Sequence, residues 1–99
     1  NDRAAVRIKG KYGFINREGT LCIPAIYEDI GFFSDDYVNV MKGGKWGYID
    51  KDGKAITKFK YDNATVIRDG YANITLKGRN GFLEIVNGKP VESFENREN

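Results

Sequence analysis

Side chains able to perform chemistry are few in this chain, which contains no histidine and one cysteine. Paired carboxylates can serve as a general acid and base, and a dense cluster of them can hold calcium. The carboxylates that could form such a site are Glu18, Asp50, Asp52 and Glu84. Residues 50–53 lack the further oxygen ligands of a calcium loop, and their Asp-Lys-Asp-Gly order is typical of a hairpin turn. We therefore interpret these carboxylates as turn residues.

The single thiol, Cys22, has no histidine to activate it as a nucleophile and no second cysteine for an internal disulfide. A structural zinc site is equally hard to build without further Cys or His ligands. We predict that Cys22 is a small core residue. We also predict that the chain is not an enzyme and binds no metal or other cofactor.

Composition places the chain among small globular domains. Its 99 residues are 40% hydrophobic and 30% charged, which is ordinary for one folded domain. The net charge of +2 is too small to imply a nucleic-acid or membrane partner by itself. The longest apolar run, Leu21 to Tyr27, is broken by Pro24 and is too short to span a bilayer.

An internal repeat with a period of 34 residues is the main signal in the sequence. Residues 11–44 and 45–78 align without a gap and share nine identities, where chance gives roughly two. Gly13 and Gly47 match each other and recur as Gly81, and Gly19 matches Gly53. The predicted organisation is a partial repeat at 1–10, full repeats at 11–44 and 45–78, a partial third repeat at 79–91 and a polar tail at 92–99.

Each repeat is predicted to contain three strands. In the second copy the first strand is 45–50, and a turn follows in which Gly53 takes the left-handed conformation. The second strand covers about 54–60. The third strand, 71–76, places Ala72, Ile74 and Leu76 on one face because strands alternate with a period of two.

The connection between the second and third strands carries paired apolar residues, Phe32 and Phe33 in one copy and Val66 and Ile67 in the other. We predict that both pairs pack beneath the sheet. Helix is disfavoured because glycine recurs too often and no twelve-residue stretch holds helical apolar spacing. The predicted fold is all-β, with antiparallel β-meander repeats forming a small repeat array or a barrel-like sheet.

Residues 45–54, Lys-Trp-Gly-Tyr-Ile-Asp-Lys-Asp-Gly-Lys, resemble the WG repeat, also called the KWG repeat. The family pattern continues with a proline-containing strand and a Tyr-Asp pair, which Pro24, 27–28 and 61–62 fit. The sequence departs from the pattern at some positions: Tyr12 and Asn80 replace Trp, Asp36 replaces Gly and Lys58 replaces Pro. The resemblance implies a bacterial multi-repeat protein, and it supplies no catalytic residues.

Four aromatic residues of the first strands, Tyr12, Phe14, Trp46 and Tyr48, could stack against sugars or bases. We interpret them instead as core between repeats, because each unit must bury its faces against its neighbours. Trp46 and Tyr48 share one strand face, and Gly47 on the other face allows close approach of a neighbouring segment.

Basic residues recur at the tips that join a third strand to the next first strand: Lys9, Lys11, Lys42, Lys45, Lys77 and Arg79. Stacked repeats would align them into a basic ladder able to bind phosphate groups. The alternative is a set of solvated tips that keeps the sheet edges from pairing. Acidic residues, Asp35, Asp36 and Asp69, recur at another corner.

The leading functional hypothesis is a non-catalytic binding or scaffold module whose partner is another protein, since repeat arrays present extended surfaces. The second hypothesis is a polyanion- or glycan-binding module that uses the basic ladder. We expect a monomer that self-associates weakly through its terminal strands, whose edges lack neighbours within the chain.

Overall fold

The computed structural model describes residues 3–94, which form strands and turns and contain no helix. The predicted all-β class is confirmed, and every paired strand is antiparallel to its neighbour. The strands are β1 (Ala4–Ile8), β2 (Lys11–Ile15), β3 (Leu21–Tyr27), β4 (Asp29–Ile30), β5 (Tyr37–Lys42), β6 (Lys45–Asp50), β7 (Asn63–Ala64), β8 (Tyr71–Leu76), β9 (Arg79–Val86) and β10 (Lys89–Phe94).

Three sheets follow one another along the chain. The first contains β1, β2 and β3, the second β4, β5 and β6, and the third β7, β8, β9 and β10 in spatial order. Strands β1, β5 and β8 are equivalent in the 34-residue register, as are β2, β6 and β9. Each sheet therefore joins the third strand of one repeat to the first strand of the next, so sheets and sequence repeats are out of phase.

The regular second strand predicted at 54–60 is wrong for the second repeat. Two isolated bridges, Ile49 to Ala55 and Trp46 to Tyr61, and separate backbone hydrogen bonds connect this segment to β6 without forming a continuous ladder. The Tyr48 amide donates to Thr57 Oγ1 at 3.0 Å instead of to a main-chain carbonyl. In the first repeat β3 is continuous, but its pairing with β2 already shifts register twice. In the second repeat the Thr57 hydroxyl thus takes the place of a main-chain acceptor and interrupts the ladder. At the equivalent place the first repeat has only β-bulges.

The hairpin turns that end β2 and β6 are as predicted. Gly19 and Gly53 have φ of 82° and 86°, a left-handed conformation in which a side chain is strained. Asp50 Oδ1 accepts hydrogen bonds from the amides of Asp52 and Lys54, both at 2.9 Å. This is the Asx-turn chemistry that the sequence indicated for the carboxylate at position 50.

The third repeat uses a different turn. Asn87 and Gly88 both have positive φ, 52° and 76°, as a two-residue hairpin loop of the right twist requires. Strands β9 and β10 then pair without a bulge, from Lys89 opposite Val86 to Phe94 opposite Gly81. Residues 92–94, predicted to begin a polar tail, therefore belong to β10. Residues 95–99 of that predicted tail lie outside the described residues.

The core lies between successive sheets in two clusters. One joins the first and second sheets through Phe14, Ile23, Tyr27, Val38, Val40 and Ile49. The other joins the second and third sheets through Tyr48, Tyr61, Ala64, Ile67, Ala72, Ile74 and Leu83. Both faces of the second sheet are thus buried. The predicted alternation is confirmed for β8, whose inward residues Ala72 and Ile74 are buried between more exposed neighbours.

The prediction that both connecting pairs lie beneath the sheet is wrong for Phe32, which is 76% exposed. Its neighbour Phe33 packs edge-on against Phe14, with the ring centroids 5.0 Å apart. In the second repeat Ile67 is buried while Val66 is only half-buried. Adjacent side chains of an extended connection point in opposite directions, so one member of each pair faces the core.

The described strands form an open stack rather than a barrel-like sheet. The molecule measures 53 × 28 × 15 Å along its principal axes. The short strand β7 and the strand β10 are the two edges of the third sheet, and neither pairs with the first sheet. Of the two architectures expected from the sequence, the structure has the linear repeat array.

Candidate interaction surfaces

The glycines that follow the aromatic position of each first strand allow another segment to cross them closely. A Cβ added to Gly47 would lie 2.6 Å from Phe59 Cδ1 and 2.9 Å from the Lys58 carbonyl oxygen. One added to Gly13 would lie 2.5 Å from the Ile23 carbonyl oxygen, and Gly81 is covered in the same way by Phe94. These three glycines therefore have a packing role in the array.

The first-strand aromatics lie between sheets rather than on a surface platform. Phe14 and Tyr48 are buried, and Trp46 and Tyr12 are half-buried against the two core clusters. The Tyr48 hydroxyl donates to the Thr65 carbonyl oxygen. Burial raises the pKa of Tyr48 well above its ordinary value, so this donor stays protonated. These contacts give the aromatics a structural role.

Glu28 clasps the tip between β5 and β6. Its carboxylate accepts hydrogen bonds from the Gly43 and Gly44 amides at 2.9 and 2.8 Å. Lys11 Nζ lies 3.7 Å from the same carboxylate. The two backbone amides, more than Lys11, hold the pKa of Glu28 below its ordinary value. A carboxylate from one repeat thus fixes the turn that leads into the next.

Asp62 repeats this clasp one period later. It forms an ion pair with Lys45, and its Oδ2 accepts a hydrogen bond from the Lys77 amide at 2.8 Å. The Lys45 ammonium is the main reason why the pKa of Asp62 is lowered, and the Lys77 amide adds to it. This role of Glu28 and Asp62 was not predicted from the sequence. The signal was present in the recurrent acidic residue after Tyr27 and Tyr61.

The basic residues proposed as a ladder lie at three successive tips: Lys9 and Lys11, Lys42 and Lys45, Lys77 and Arg79. Several of them make contacts within the protein. Besides the pairs with Glu28 and Asp62, Lys42 Nζ lies 5.7 Å from the Phe59 ring centroid, and Arg79 Cζ lies 5.4 Å from that of Phe94. A phosphate ligand would have to compete with these carboxylates and rings.

The acidic corner joins neighbouring repeats. Asp35 Oδ2 accepts a hydrogen bond from the Gly70 amide at 2.9 Å. Asp35 and Gly70 belong to equivalent two-residue turns, each with two positive φ angles.

Within residues 3–94 no group of three or more His, Cys, Asp or Glu side chains could hold a metal ion. The same residues include no helix long and apolar enough to cross a membrane.

A broad concave surface lies on the outer face of the third sheet. It is a groove of about 660 Å³ whose floor is formed by two rows of side chains across β8, β9 and β10. One row contains Tyr71, Glu84 and Val91, and the other contains Asn73, Phe82 and Ser93. Phe82 is 57% exposed, and Tyr71 and Val91 are also exposed. We call Tyr71, Asn73, Phe82, Glu84 and Val91 the C-terminal face.

The C-terminal face combines apolar area with polar groups at fixed positions. The Tyr71 hydroxyl donates to Glu84 Oε2 at 3.0 Å, and this hydrogen bond raises the pKa of Tyr71. Arg68 and Thr65 line one side of the groove. Protein-binding surfaces usually have an apolar centre surrounded by a polar rim. The sequence did not point to this face, because its most exposed aromatic, Phe82, matches Phe14 and Tyr48, which were expected to be core.

The open stack of antiparallel sheets, repeating every 34 residues, makes this chain an all-β repeat protein. A family model described as WG containing repeat matches residues 12–46 and again residues 46–79. The chain therefore belongs to the WG-repeat family. Searches among curated proteins and among solved structures found no match to it.

Proposed function

We propose that this chain is a non-catalytic binding or scaffold module that recognises another protein through the C-terminal face. The observation that carries the proposal is the exposure of Phe82, together with Tyr71 and Val91, on one sheet face. Contiguous exposed apolar side chains with a polar rim mark interaction surfaces more often than scattered ones do. The rigid strands beneath them fix the geometry before a partner arrives, which lowers the entropic cost of binding.

Site-specific crosslinking tests the proposal. A photoreactive benzophenone side chain replaces Phe82 in one variant and Lys54, an exposed turn residue, in a matched control. We expect discrete protein adducts in cells from position 82 and not from position 54. A Tyr71→Ser substitution in the same variant should reduce them, because it removes part of the apolar surface. Equal labelling at both positions would contradict protein recognition by this face.

The polyanion- or glycan-binding alternative remains a separate proposal with less support. Its candidate residues Lys11 and Lys45 are already paired with Glu28 and Asp62. A heparin column at low salt tests it directly, because phosphate or sulfate binding through lysines weakens steeply with salt. We expect no retention at low salt. Retention that is lost in a Lys45→Glu, Lys77→Glu double variant would favour the ladder instead.

A further inference from the structure

The C-terminal face has two internal counterparts, because the repeat places equivalent residues on each earlier sheet. Phe82 is equivalent to Tyr48 and Phe14, and Asn73 is equivalent to Asn39. Tyr48 is 0% exposed where Phe82 is 57% exposed. Asn39 is likewise buried, whereas Asn73 is exposed. The same face is thus covered on the second sheet and open on the third.

The internal interfaces show what covers this face. Tyr48 lies in one buried cluster with Ala72, Ile74 and Leu83 of the following sheet. In the first interface Phe14 packs in the same cluster as Val38, Val40 and Ile49. The covering surface is in each case formed by the inward residues of a third strand together with the apolar residue two positions after the glycine of the paired first strand, Ile49 or Leu83. The molecule therefore contains two successive sheet-to-sheet interfaces of the same kind.

The first sheet carries the equivalent of that covering surface, and its residues are more exposed than their internal counterparts. Ala4 and Val6 are equivalent to Val38 and Val40, and Ile15 is equivalent to Ile49. Val38, Val40 and Ile49 are fully buried, whereas Ala4 and Ile8 are exposed and Val6 and Ile15 are only half-buried. We call Ala4, Val6, Ile8 and Ile15 the N-terminal face.

We propose that the C-terminal face of one chain docks on the N-terminal face of a second copy of the same chain. The two faces occupy the register positions of the two sides of an interface that the protein makes twice internally, and both carry exposed apolar side chains. This inference rests on the proposed function, since it names the partner of the same face. It replaces edge-to-edge pairing of terminal strands with face-to-face stacking.

Head-to-tail stacking has a distinctive consequence. The interface is heterologous, so each added chain exposes a fresh C-terminal face and association continues without closure. The contact lacks the connecting loop that also covers each internal face, represented by Phe33 over Phe14 and by Ile67 beside Tyr48. We therefore expect weak, concentration-dependent oligomers rather than one tight dimer.

Sedimentation velocity over a wide concentration range provides the test, using the full chain and two charge variants. Phe82→Glu blocks the C-terminal face, and Val6→Glu blocks the N-terminal face. Each variant alone should remain monomeric, because one half of the interface is lost. An equimolar mixture should form a species of two chains and no larger one, since each variant retains the complementary intact face. Ile26→Glu is the control, because Ile26 is 40% exposed and lies outside both faces.

Circular dichroism and melting curves establish that each variant is folded, and Phe82→Ser and Ala4→Glu replace any variant that is not. Recovery of the two-chain species in the mixture supports head-to-tail docking. A wild-type chain that stays monomeric at every concentration, or a mixture that stays monomeric while wild type associates, overturns it. Neither result affects crosslinking of a different protein at position 82, so the proposed function is tested separately.

Discussion

Asp36 illustrates how a single residue departs from the geometry that its turn requires. Its φ is 68°, and the equivalent residue in the second repeat is Gly70, with φ of 82°. Residues with a Cβ are strained in this left-handed region, although Asp tolerates it better than most. The first acidic tip therefore carries a small strain that the second avoids.

Replacing Asp36 with glycine should stabilise the fold by up to about 1 kcal/mol, the relief of left-handed strain less the added entropy of the unfolded chain. Urea titration of the two proteins measures the change. The reciprocal variant, Gly70→Asp, should lower stability and serves as the control. If both substitutions shift stability in the same direction, backbone strain is not the cause.

Glu28 makes stability depend on pH in a definite direction. Its pKa in the folded protein is lowered by the Gly43 and Gly44 amides and by Lys11. A lowered folded pKa stabilises the protein above the ordinary value of 4.5 and loses that stabilisation as the pH falls through the folded value. Acid should therefore loosen the clasp on the tip between β5 and β6.

A Glu28→Gln variant should lose stability less steeply than wild type as the pH is lowered below 4.5. Urea unfolding at a series of pH values gives the two slopes. Asp62→Asn should behave in the same way, because its carboxylate also has a lowered pKa at the equivalent clasp. Identical slopes for wild type and both variants would show that the clasps are not formed in solution.

At the scale of elements, stability comes from contacts between successive sheets. Asn39 on β5 donates from Nδ2 to the Ala64 carbonyl oxygen of β7 at 2.8 Å. Gly31 makes room for this amide, because a Cβ there would overlap Asn39 Oδ1. The equivalent Asn73 lies on the open C-terminal face. The same residue type thus links two sheets in one repeat and is solvent-exposed in the next.

Substituting Asn39 with alanine should cost on the order of 1–3 kcal/mol, because the Ala64 carbonyl loses its buried donor. Asn73→Ala is the matched control and should change stability by less than about 0.5 kcal/mol, as surface substitutions usually do. Thermal and urea unfolding of both variants measure the difference. Equal effects would mean that the hydrogen bond to Ala64 contributes no stability.

For the whole molecule, the stacking predicts uneven local stability. The second sheet is covered on both faces, whereas β1 lies at the outside of the first sheet and contains no fully buried residue. Outer elements of repeat arrays open at lower free energy than central ones. Local opening should therefore begin at β1.

Hydrogen exchange measured by mass spectrometry should show faster exchange in β1 than in β5. The two strands are equivalent in the repeat and lead into two-residue turns of the same kind, so the comparison controls for turn type. The paired amides of β5 should exchange near the rate of global unfolding, because their neighbours are buried. Equal protection of β1 and β5 in a monomeric sample would contradict the nearest-neighbour description of stability.

The sequence by itself determined the class of fold, the period and much of the local geometry. Turn chemistry at Asp50 and Gly53 and alternation in β8 depend only on nearby residues, so short-range rules suffice to predict them. The packing role of Gly47 could also be predicted, because a segment that crosses a strand closely leaves no room for a side chain at the crossing point. Repetition strengthened each of these predictions by showing the pattern more than once.

Only the tertiary structure decided which equivalent residues are covered. Tyr48 and Phe82 occupy the same register position, and a following sheet buries one and leaves the other open. The outward turn of Phe32 and the broken second strand near Thr57 likewise depend on competition among packing and hydrogen-bond partners that lie far apart in sequence. Whether a residue is buried depends on whether another sheet packs against its face, and the repeat period alone does not determine which faces are covered in this way.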